Sequence, residues 1–302
     1  MIDSLQTIEI PNGERIAYRE REGSGKVLLL IHGNMVSSKH WDLLFESLDS
    51  DFHLIAPDLP GFGGSSYNKP IDAINDFAVT IEQFIEQLGI QPYAILGWSM
   101  GGTVAMQYCA NVENPCEKLL LLASGSTRGY PFYPTIPDGS MPTPDQRLKT
   151  YEEVKKDPGK TQVMEQAQQN QDKKTMKMVW DTAIYTQKKP SPEKYDAYLD
   201  DIFTQRNIAE CYHALNQFNI SPVHNGLVEG TNEVAKIDVP VLVMQGDLDY
   251  VVVPQMTLEI MEDLTGDVTY KELTGCGHSP MIDDLETLVE TIEDFLADGE
   301  DD

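Results

Sequence analysis

Short runs of apolar residues alternate with amphipathic stretches along the first 124 residues of the chain. Unbroken apolar runs of this kind are typical of strands buried on both faces of a parallel sheet. Four such runs come in sequence: VLLLIHG (27–33), FHLIAPD (52–58), YAILGW (93–98) and KLLLLAS (118–124). Between them, apolar residues spaced three and four apart predict helices, first at Trp41, Leu44, Phe45 and Leu48. The next helix is expected to be capped by Asp72 and to end at Gly89. The alternation predicts an α/β fold with a mostly parallel sheet.

A different pattern fills the middle of the chain. At the start of the chain, the turn signal Pro11-Asn12-Gly13 predicts a hairpin. In the middle, from about Gly125 to about Glu233, no buried-strand signal occurs. That stretch opens with a proline-rich segment and continues as four or five amphipathic pieces. Strand and helix signals resume at 239–246 and run to the end. We therefore predict a sheet domain formed by 1–124 and 234–302, with 125–233 inserted as a helical cap.

The third buried strand, YAILGW, ends in Gly97-Trp98-Ser99-Met100-Gly101, a G-x-S-x-G pattern followed at once by a helix. In this strand–turn–helix context the pattern indicates a nucleophile elbow, which exposes a serine hydroxyl at the start of the helix. Gly97 and Gly101 are expected because a Cβ at either position would collide with neighbouring backbone. Ser99 is the predicted nucleophile, and it requires a histidine, an acid and an oxyanion hole.

His278 follows the last predicted strand in TGCGHSPMIDD, where the preceding Gly275 and Gly277 permit a loop over the sheet edge. It is the predicted general base, and it comes after the serine in chain order. The acid should lie between them, in QGDLDYVVVP, where Asp247 and Asp249 are the candidates. We prefer Asp249, because Gly246 lets the loop turn before this carboxylate faces the histidine; Asp247 would then cap the loop.

The oxyanion hole requires two backbone N–H donors. One is expected at Met100, directly after the nucleophile, and the other at Asn34, in the loop that follows the first buried strand. Gly33 would let the chain turn there, and His32 would brace the loop. Cys276, two residues before the predicted base, is a weak alternative nucleophile.

Composition excludes several other classes of function. The formal net charge of -27 opposes nucleic-acid binding and docking on anionic membranes. The four cysteines have no zinc or redox spacing, no HExxH or dinucleotide fingerprint occurs, and we expect no metal or cofactor. With no signal-peptide pattern and no apolar run of transmembrane length, a cytoplasmic protein is expected, with the acidic end ADGEDD frayed.

The motifs HGNM, DLPGFGGSS, GWSMGG, GDLDYVV and GCGHSPM, in this order, resemble those of the α/β-hydrolase superfamily. The resemblance implies an eight-stranded, mostly parallel sheet flanked by helices and a serine–histidine–aspartate ester hydrolase. Branches of that superfamily with aspartate at the elbow, the haloalkane dehalogenases and epoxide hydrolases, differ from this chain. Its substrate is not implied, since this fold hosts many activities.

HGNMVSS, GFGGSSYNKP, GWSMGG, SGSTRGYP and GDLDYVV also resemble the bacillus-type intracellular poly(3-hydroxybutyrate) depolymerases. This implies a polymeric or oligomeric ester as substrate. A general short-chain carboxylesterase or lactonase is the alternative, since GWSxGG occurs there too. A ligand receptor that keeps a slow hydrolase site is an alternative of another class.

Overall fold

A computed structural model describes residues 4–297, and the predicted frayed tail lies almost wholly outside them. One sheet runs through the centre of these residues. Its eight strands are β1 (Gln6–Glu9), β2 (Arg15–Arg21), β3 (Val27–Ile31), β4 (His53–Pro57), β5 (Ala94–Trp98), β6 (Lys118–Leu122), β7 (Val241–Gly246) and β8 (Val268–Leu273). They lie in the order β1-β2-β4-β3-β5-β6-β7-β8. β2 is antiparallel to both of its neighbours and the other pairs are parallel, which confirms the predicted sheet.

Helices cover both faces of the sheet. They are α1 (Asp42–Ser47), α2 (Ile74–Leu88), α3 (Met100–Asn111), α4 (Tyr151–Lys155), α5 (Thr161–Gln169), α6 (Lys173–Ala183), α7 (Pro192–Ile202), α8 (Ile208–Gln217), α9 (Pro254–Asp263), α10 (Pro280–Asp283) and α11 (Leu285–Ala297). Short 3₁₀ turns lie at Ser38–Trp41, Pro144–Gln146 and Glu233–Lys236.

Alternate residues of the central strands enter two separate cores. In β3, Leu29 and Ile31 pack on one face, while Leu28 and Leu30 pack on the other. All four are at most 1% exposed. Because both faces are covered, these strands need apolar residues at every position, which is the reason that they read as unbroken runs.

The start of α2 departs from the sequence prediction by one residue, since its N-cap is Ala73. The helix begins at Ile74, and the carboxylate of Asp76 accepts the N–H groups of Asp72 (2.8 Å) and Ala73 (2.9 Å). The capping acid is therefore Asp76, and the expectation that Asp72 caps this helix was wrong. The predicted end is confirmed, because Gly89 adopts φ +66° in the left-handed region that glycine favours.

Five α-helices, α4 to α8, lie between β6 and β7, and every residue of that segment is described. α7 packs on the 3₁₀ turn Ser38–Trp41, so the segment contacts the loop that follows β3. The aromatic and methionine residues of the segment are mostly interior. Phe132, Met164, Met176, Trp180 and Tyr185 are buried, Tyr130 and Tyr133 are half-buried, and Met178 is exposed.

Candidate active site

Ser99 lies in the tight turn between β5 and α3. Its φ of 56° and ψ of -119° are unusual for a residue with a side chain, and indicate local backbone strain. A Cβ at Gly97 would lie 2.4 Å from the carbonyl oxygen of Gly101, and a Cβ at Gly101 would lie 2.1 Å from that of Ile31. The two glycines are therefore required by close backbone approach, as predicted. The turn leaves Ser99 half-buried at the N-terminus of α3.

Asp249 and His278 meet at the carboxyl ends of β7 and β8. Asp249 Oδ2 lies 2.9 Å from His278 Nδ1, and the two residues are 5% and 3% exposed. The other carboxylate oxygen, Oδ1, accepts the backbone N–H groups of Val251 (2.8 Å) and Val252 (3.0 Å). The carboxylate is thus fixed from both sides. Because a carboxylate oxygen only accepts, it selects the tautomer in which Nδ1 carries the proton, and in a neutral imidazole Nε2 is then the acceptor.

Trp98 brings the histidine loop beside the elbow. Its indole Nε1 donates to the backbone carbonyl oxygen of His278 at 2.9 Å. The two rings also pack, with centroids 5.8 Å apart. Since Trp98 directly precedes Ser99, the hydrogen bond ties the loop of His278 to the strand that carries the serine.

Asp247 lies outside this arrangement. Its side chain is exposed, and Oδ1 accepts the N–H of Gly275 at 2.6 Å. Gly275 has φ +77°, so the carboxylate holds a turn that glycine is suited to make. The sequence suggested that Asp247 caps the loop, and this hydrogen bond is such a contact.

The loop after β3 lies against the elbow, but for a different reason than expected. A Cβ at Gly33 would lie 3.1 Å from both Ser99 Cβ and the carbonyl oxygen of Trp98. The left-handed turn is made by Met35, with φ 66°, and not by Gly33. Gly33 is therefore needed for close approach, and the expectation that it supplies the turn was wrong. Asn34 lies between them and is half-buried, while Met100 is the first residue of α3.

His32 braces this loop, as the sequence suggested. Its Nε2 accepts the N–H of Leu59 at 2.9 Å, and its Nδ1 lies 2.8 Å from the carbonyl oxygen of Gly33. Complete burial lowers the pKa of the imidazole, although the nearby Asp58 carboxylate opposes the shift. His32 is a neutral link between the loops that follow β3 and β4.

Cys276 is unsuited to act as a nucleophile. It is 1% exposed, and burial raises the pKa of its thiol to about 11. The reactive thiolate is therefore scarce at neutral pH.

Asp283, which the sequence prediction missed, supports the histidine loop. Its two oxygens accept the N–H groups of Gly277 (2.8 Å) and Lys188 (2.9 Å), so it joins that loop to the segment after α6. Burial raises the pKa of its carboxyl group. Only its place five residues after His278 could have drawn attention to it.

Two further polar residues that the sequence prediction missed come from the end of α7 and the segment after it. Asp201 accepts the N–H (3.0 Å) and the hydroxyl (2.7 Å) of Ser37, and Gln205 Nε2 donates to Asn34 Oδ1 at 2.8 Å. Asp201 and Gln205 are 9% and 3% exposed. The sequence offers only a weak signal, since these residues flank an amphipathic helix that reads as an ordinary surface element.

Comparison with known proteins decides the family. Residues 26–285 match the model of the α/β-hydrolase fold family. The chain belongs to this family. Within residues 4–297, no helix is long and apolar enough to cross a bilayer, and no group of three or more His, Cys, Asp or Glu side chains is arranged to hold a metal ion.

Similar proteins include hydrolases of esters. Lipase 3 from Moraxella sp. (strain TA144) is 25% identical over 297 residues, which cover 97% of this chain and 84% of the lipase. A pimeloyl-[acyl-carrier protein] methyl ester esterase from Nitrosomonas europaea is 32% identical over 105 residues, 35% of this chain and 40% of the esterase. Among solved structures, an esterase from Exiguobacterium antarcticum superimposes with a TM-score of 0.71 over 96% of this chain and 98% of its own, at 19% identity.

The fold is shared with other chemistries. The epoxide hydrolase CorEH superimposes with a TM-score of 0.72 at 18% identity, over 97% of this chain and 98% of its own. Similarity at this level shows the fold alone, so the reaction has to be argued from the side chains.

Proposed function

We propose that the protein is a serine ester hydrolase in which Ser99, His278 and Asp249 form a catalytic triad. The observation that carries the proposal is the buried Asp249–His278 pair, joined through Trp98 to the turn that holds Ser99. Serine stands at the elbow, which supports an acyl-enzyme route. The lipase and esterase names of its relatives support ester hydrolysis.

In the proposed mechanism, the Ser99 hydroxyl attacks the ester carbonyl while His278 Nε2 takes its proton. The backbone N–H groups of Asn34 and Met100 stabilise the oxyanion. Collapse of the intermediate expels the alcohol, which receives the proton from His278. Water, deprotonated by the same imidazole, then releases the acid and restores Ser99. Asp249 orients the imidazole and stabilises its charged form, and the chemistry requires no cofactor.

The test is labelling by a fluorophosphonate, followed by mass spectrometry of the modified peptide. We expect the label at Ser99, and we expect Ser99→Ala to abolish it and to lower ester turnover by several orders of magnitude. Ser140→Ala is the matched control, because Ser140 is exposed and remote from the elbow in sequence. A label on Cys276, or no label at all, would refute the proposal.

We also propose the two-part organisation read from the sequence, with residues 1–124 and 234–302 as the catalytic domain and 125–233 as a cap. The five helices between β6 and β7 support it. The cap brings aromatic and methionine side chains toward the sheet domain, and such side chains adapt to different apolar acyl groups. Short, uncharged esters are therefore the proposed substrate class.

Within that class, 3-hydroxybutyrate oligomers or amorphous poly(3-hydroxybutyrate) are the proposed specific substrates, on the strength of the motifs shared with the intracellular depolymerases. A general short-chain carboxylesterase is the second candidate, favoured by the esterases and lipases among the relatives. Release of 3-hydroxybutyrate from oligomer or amorphous polymer, lost in Ser99→Ala, is the expected result. Rapid hydrolysis of p-nitrophenyl butyrate without any such release would leave the carboxylesterase. A single slow turnover with tight product binding would instead indicate a receptor.

A further inference from the structure

Three side-chain amides form a continuous chain of hydrogen bonds beside the elbow. Asn207 Nδ2 donates to the carbonyl oxygen of Pro60 at 3.0 Å. Gln205 Nε2 lies 3.2 Å from Asn207 Oδ1 and 2.8 Å from Asn34 Oδ1. Gln205 and Asn207 are each 3% exposed. This row of amides therefore links the loop after β4, the segment after α7 and the loop after β3.

The orientation of all three amides follows from the contact between Asn207 and Pro60. The carbonyl oxygen of Pro60 can only accept, so the atom of Asn207 that faces it must be the NH₂ group. Asn207 Oδ1 then faces Gln205, which must present its own NH₂ group. The Asn34 atom that meets this NH₂ group must in turn be the acceptor Oδ1. Oxygen and nitrogen of an amide look alike by shape, and here the network decides between them.

One other contact supports this orientation, and a glycine leaves the space for it. Cys211 Sγ lies 3.6 Å from Asn207 Oδ1, where a thiol can donate to an oxygen. Gly61 has φ +87°, and a Cβ there would lie 2.3 Å from Asn207 Nδ2. The glycine thus leaves room for Asn207 to reach the neighbouring carbonyl group.

The arrangement leaves one carbonyl oxygen unsatisfied. Gln205 Oε1 is buried and has no hydrogen-bond partner among the described residues. Leaving a buried acceptor unpaired is unfavourable, yet a flipped amide would place Oε1 against two acceptor oxygens. Gln205 is therefore held in the one orientation that fixes Asn34.

The last group in this row of amides is Asn34 Nδ2. With Oδ1 occupied by Gln205, the NH₂ group carries two donors and has no hydrogen-bond partner within residues 4–297. Asn34 is half-buried, and its neighbour Gly33 lies against Ser99, with 3.7 Å between an added Cβ and Ser99 Oγ. Asn34 Nδ2 is thus an oriented, neutral donor, and Asn34 directly follows the glycine that lies against Ser99.

We propose that Asn34 Nδ2 donates a hydrogen bond to an oxygen on carbon 3 of the substrate's acyl group, and that Gln205 is the positioning residue for this donor. The inference rests on the proposed serine ester hydrolase. The backbone N–H of Asn34 is assigned to the oxyanion, so the side chain of the same residue lies near the reacting carbonyl, and carbon 3 is only two bonds from the carbonyl carbon. In a 3-hydroxyacyl ester that oxygen is a hydroxyl, and in an oligomer it is the next ester oxygen. A plain acyl chain offers the amide no acceptor.

The test compares two substrates that differ only in this oxygen, ethyl 3-hydroxybutyrate and ethyl butyrate. We expect Asn34→Ala, which keeps the backbone N–H, to lower kcat/KM for the hydroxy ester roughly tenfold more than kcat/KM for ethyl butyrate. Gln205→Met should shift the ratio of the two kcat/KM values in the same direction by a smaller factor, because it frees the amide without removing it. Gln217→Met, at the half-buried last position of α8, is the matched control and should leave the ratio unchanged.

An equal loss with both esters in Asn34→Ala, or an unchanged ratio, would overturn the inference and leave the triad intact. If Asn34→Ala fails to fold, the ratio in Gln205→Met decides in the same way. Hydrolysis of neither ester by the wild-type protein would overturn the proposed function itself, and this inference with it.

Discussion

The two carboxylate oxygens of Asp249 face different partners, and this makes the residue sensitive to an isosteric change. Oδ1 accepts two backbone N–H groups, and Oδ2 faces His278 Nδ1. In Asp249→Asn, the N–H groups of Val251 and Val252 hold the amide oxygen on their own side. The NH₂ group then faces Nδ1, which forces the imidazole proton onto Nε2, where it blocks general-base action. We expect kcat for p-nitrophenyl butyrate to fall by about 10³- to 10⁴-fold with the fold intact.

Asp247→Asn is the matched control for this change. Its Oδ1 accepts only the N–H of Gly275, and an asparagine oxygen can do the same. We expect kcat within about threefold of the wild-type value, because a surface substitution that keeps its hydrogen bond is nearly neutral. The opposite ranking of the two variants would show that Asp247 is the functional acid.

At this scale, local sequence is enough to predict a residue when its role depends on its immediate neighbours. The elbow of Ser99 requires Gly97 and Gly101 within two positions, and the loop around His278 contains its own glycines. The partners of Asp201 and Gln205 lie more than 160 positions away, at Ser37 and Asn34. Spacing along the chain contains no information about such a contact, so it becomes visible only in the fold.

At the scale of elements, the end of α7 holds the loop that follows β3. Asp201 accepts two hydrogen bonds from Ser37 and lies 3.3 Å from His40 Nε2. Burial raises the pKa of its carboxyl group, but His40, Ser37 and the more distant His32 outweigh burial and hold the pKa below its ordinary value. The charged form is therefore favoured by folding.

We expect Asp201→Asn to lower the free energy of unfolding by about 2 kcal/mol at pH 7, as weakened hydrogen bonds to a charged group do. A depressed pKa contributes stability above the unfolded-state value of about 3.9, and the contribution disappears as pH falls through the lower, folded-state value. The difference between wild type and variant, measured by urea unfolding at several pH values, should therefore shrink below about pH 4.

Asp200→Asn is the control, since Asp200 is exposed and pairs with Lys173 at 2.7 Å. An exposed pair contributes at most about 1 kcal/mol. If the loss of unfolding free energy in Asp201→Asn did not depend on pH, the charge of Asp201 would not be what holds the loop.

The sheet was predictable at this scale because its strands are buried on both faces, so every position of β3, β5 and β6 is constrained. The details at element ends were less predictable. Asp72 and Asp76 are both acids near the start of α2, and only tertiary packing selects where the helix begins. In the same way, the left-handed turn in the loop after β3 occurs at Met35 rather than two positions earlier at Gly33, because Gly33 is needed against Ser99.

At the scale of the whole molecule, acidic residues dominate, with 49 Asp and Glu against 22 Lys and Arg. A net charge this far from zero repels anions and attracts cations over distances comparable to the Debye length. It exerts no net force on a neutral ester. The charge thus separates neutral esters from acids, including the acid that ester hydrolysis releases.

This separation predicts a substrate-dependent effect of salt. Raising NaCl from 10 to 100 mM shortens the Debye length from about 30 Å to about 10 Å. We expect kcat/KM for an anionic ester, monoethyl succinate, to rise several-fold, because screening removes the repulsion that slows its approach. Ethyl 3-hydroxybutyrate, neutral and of similar size, is the control and should stay within about twofold, since no charge is screened. An equal rise for both esters would show that salt acts on the enzyme and not on the encounter. If kcat/KM did not change with salt for either ester, the surface charge would have no effect on how an anionic ester approaches the active site.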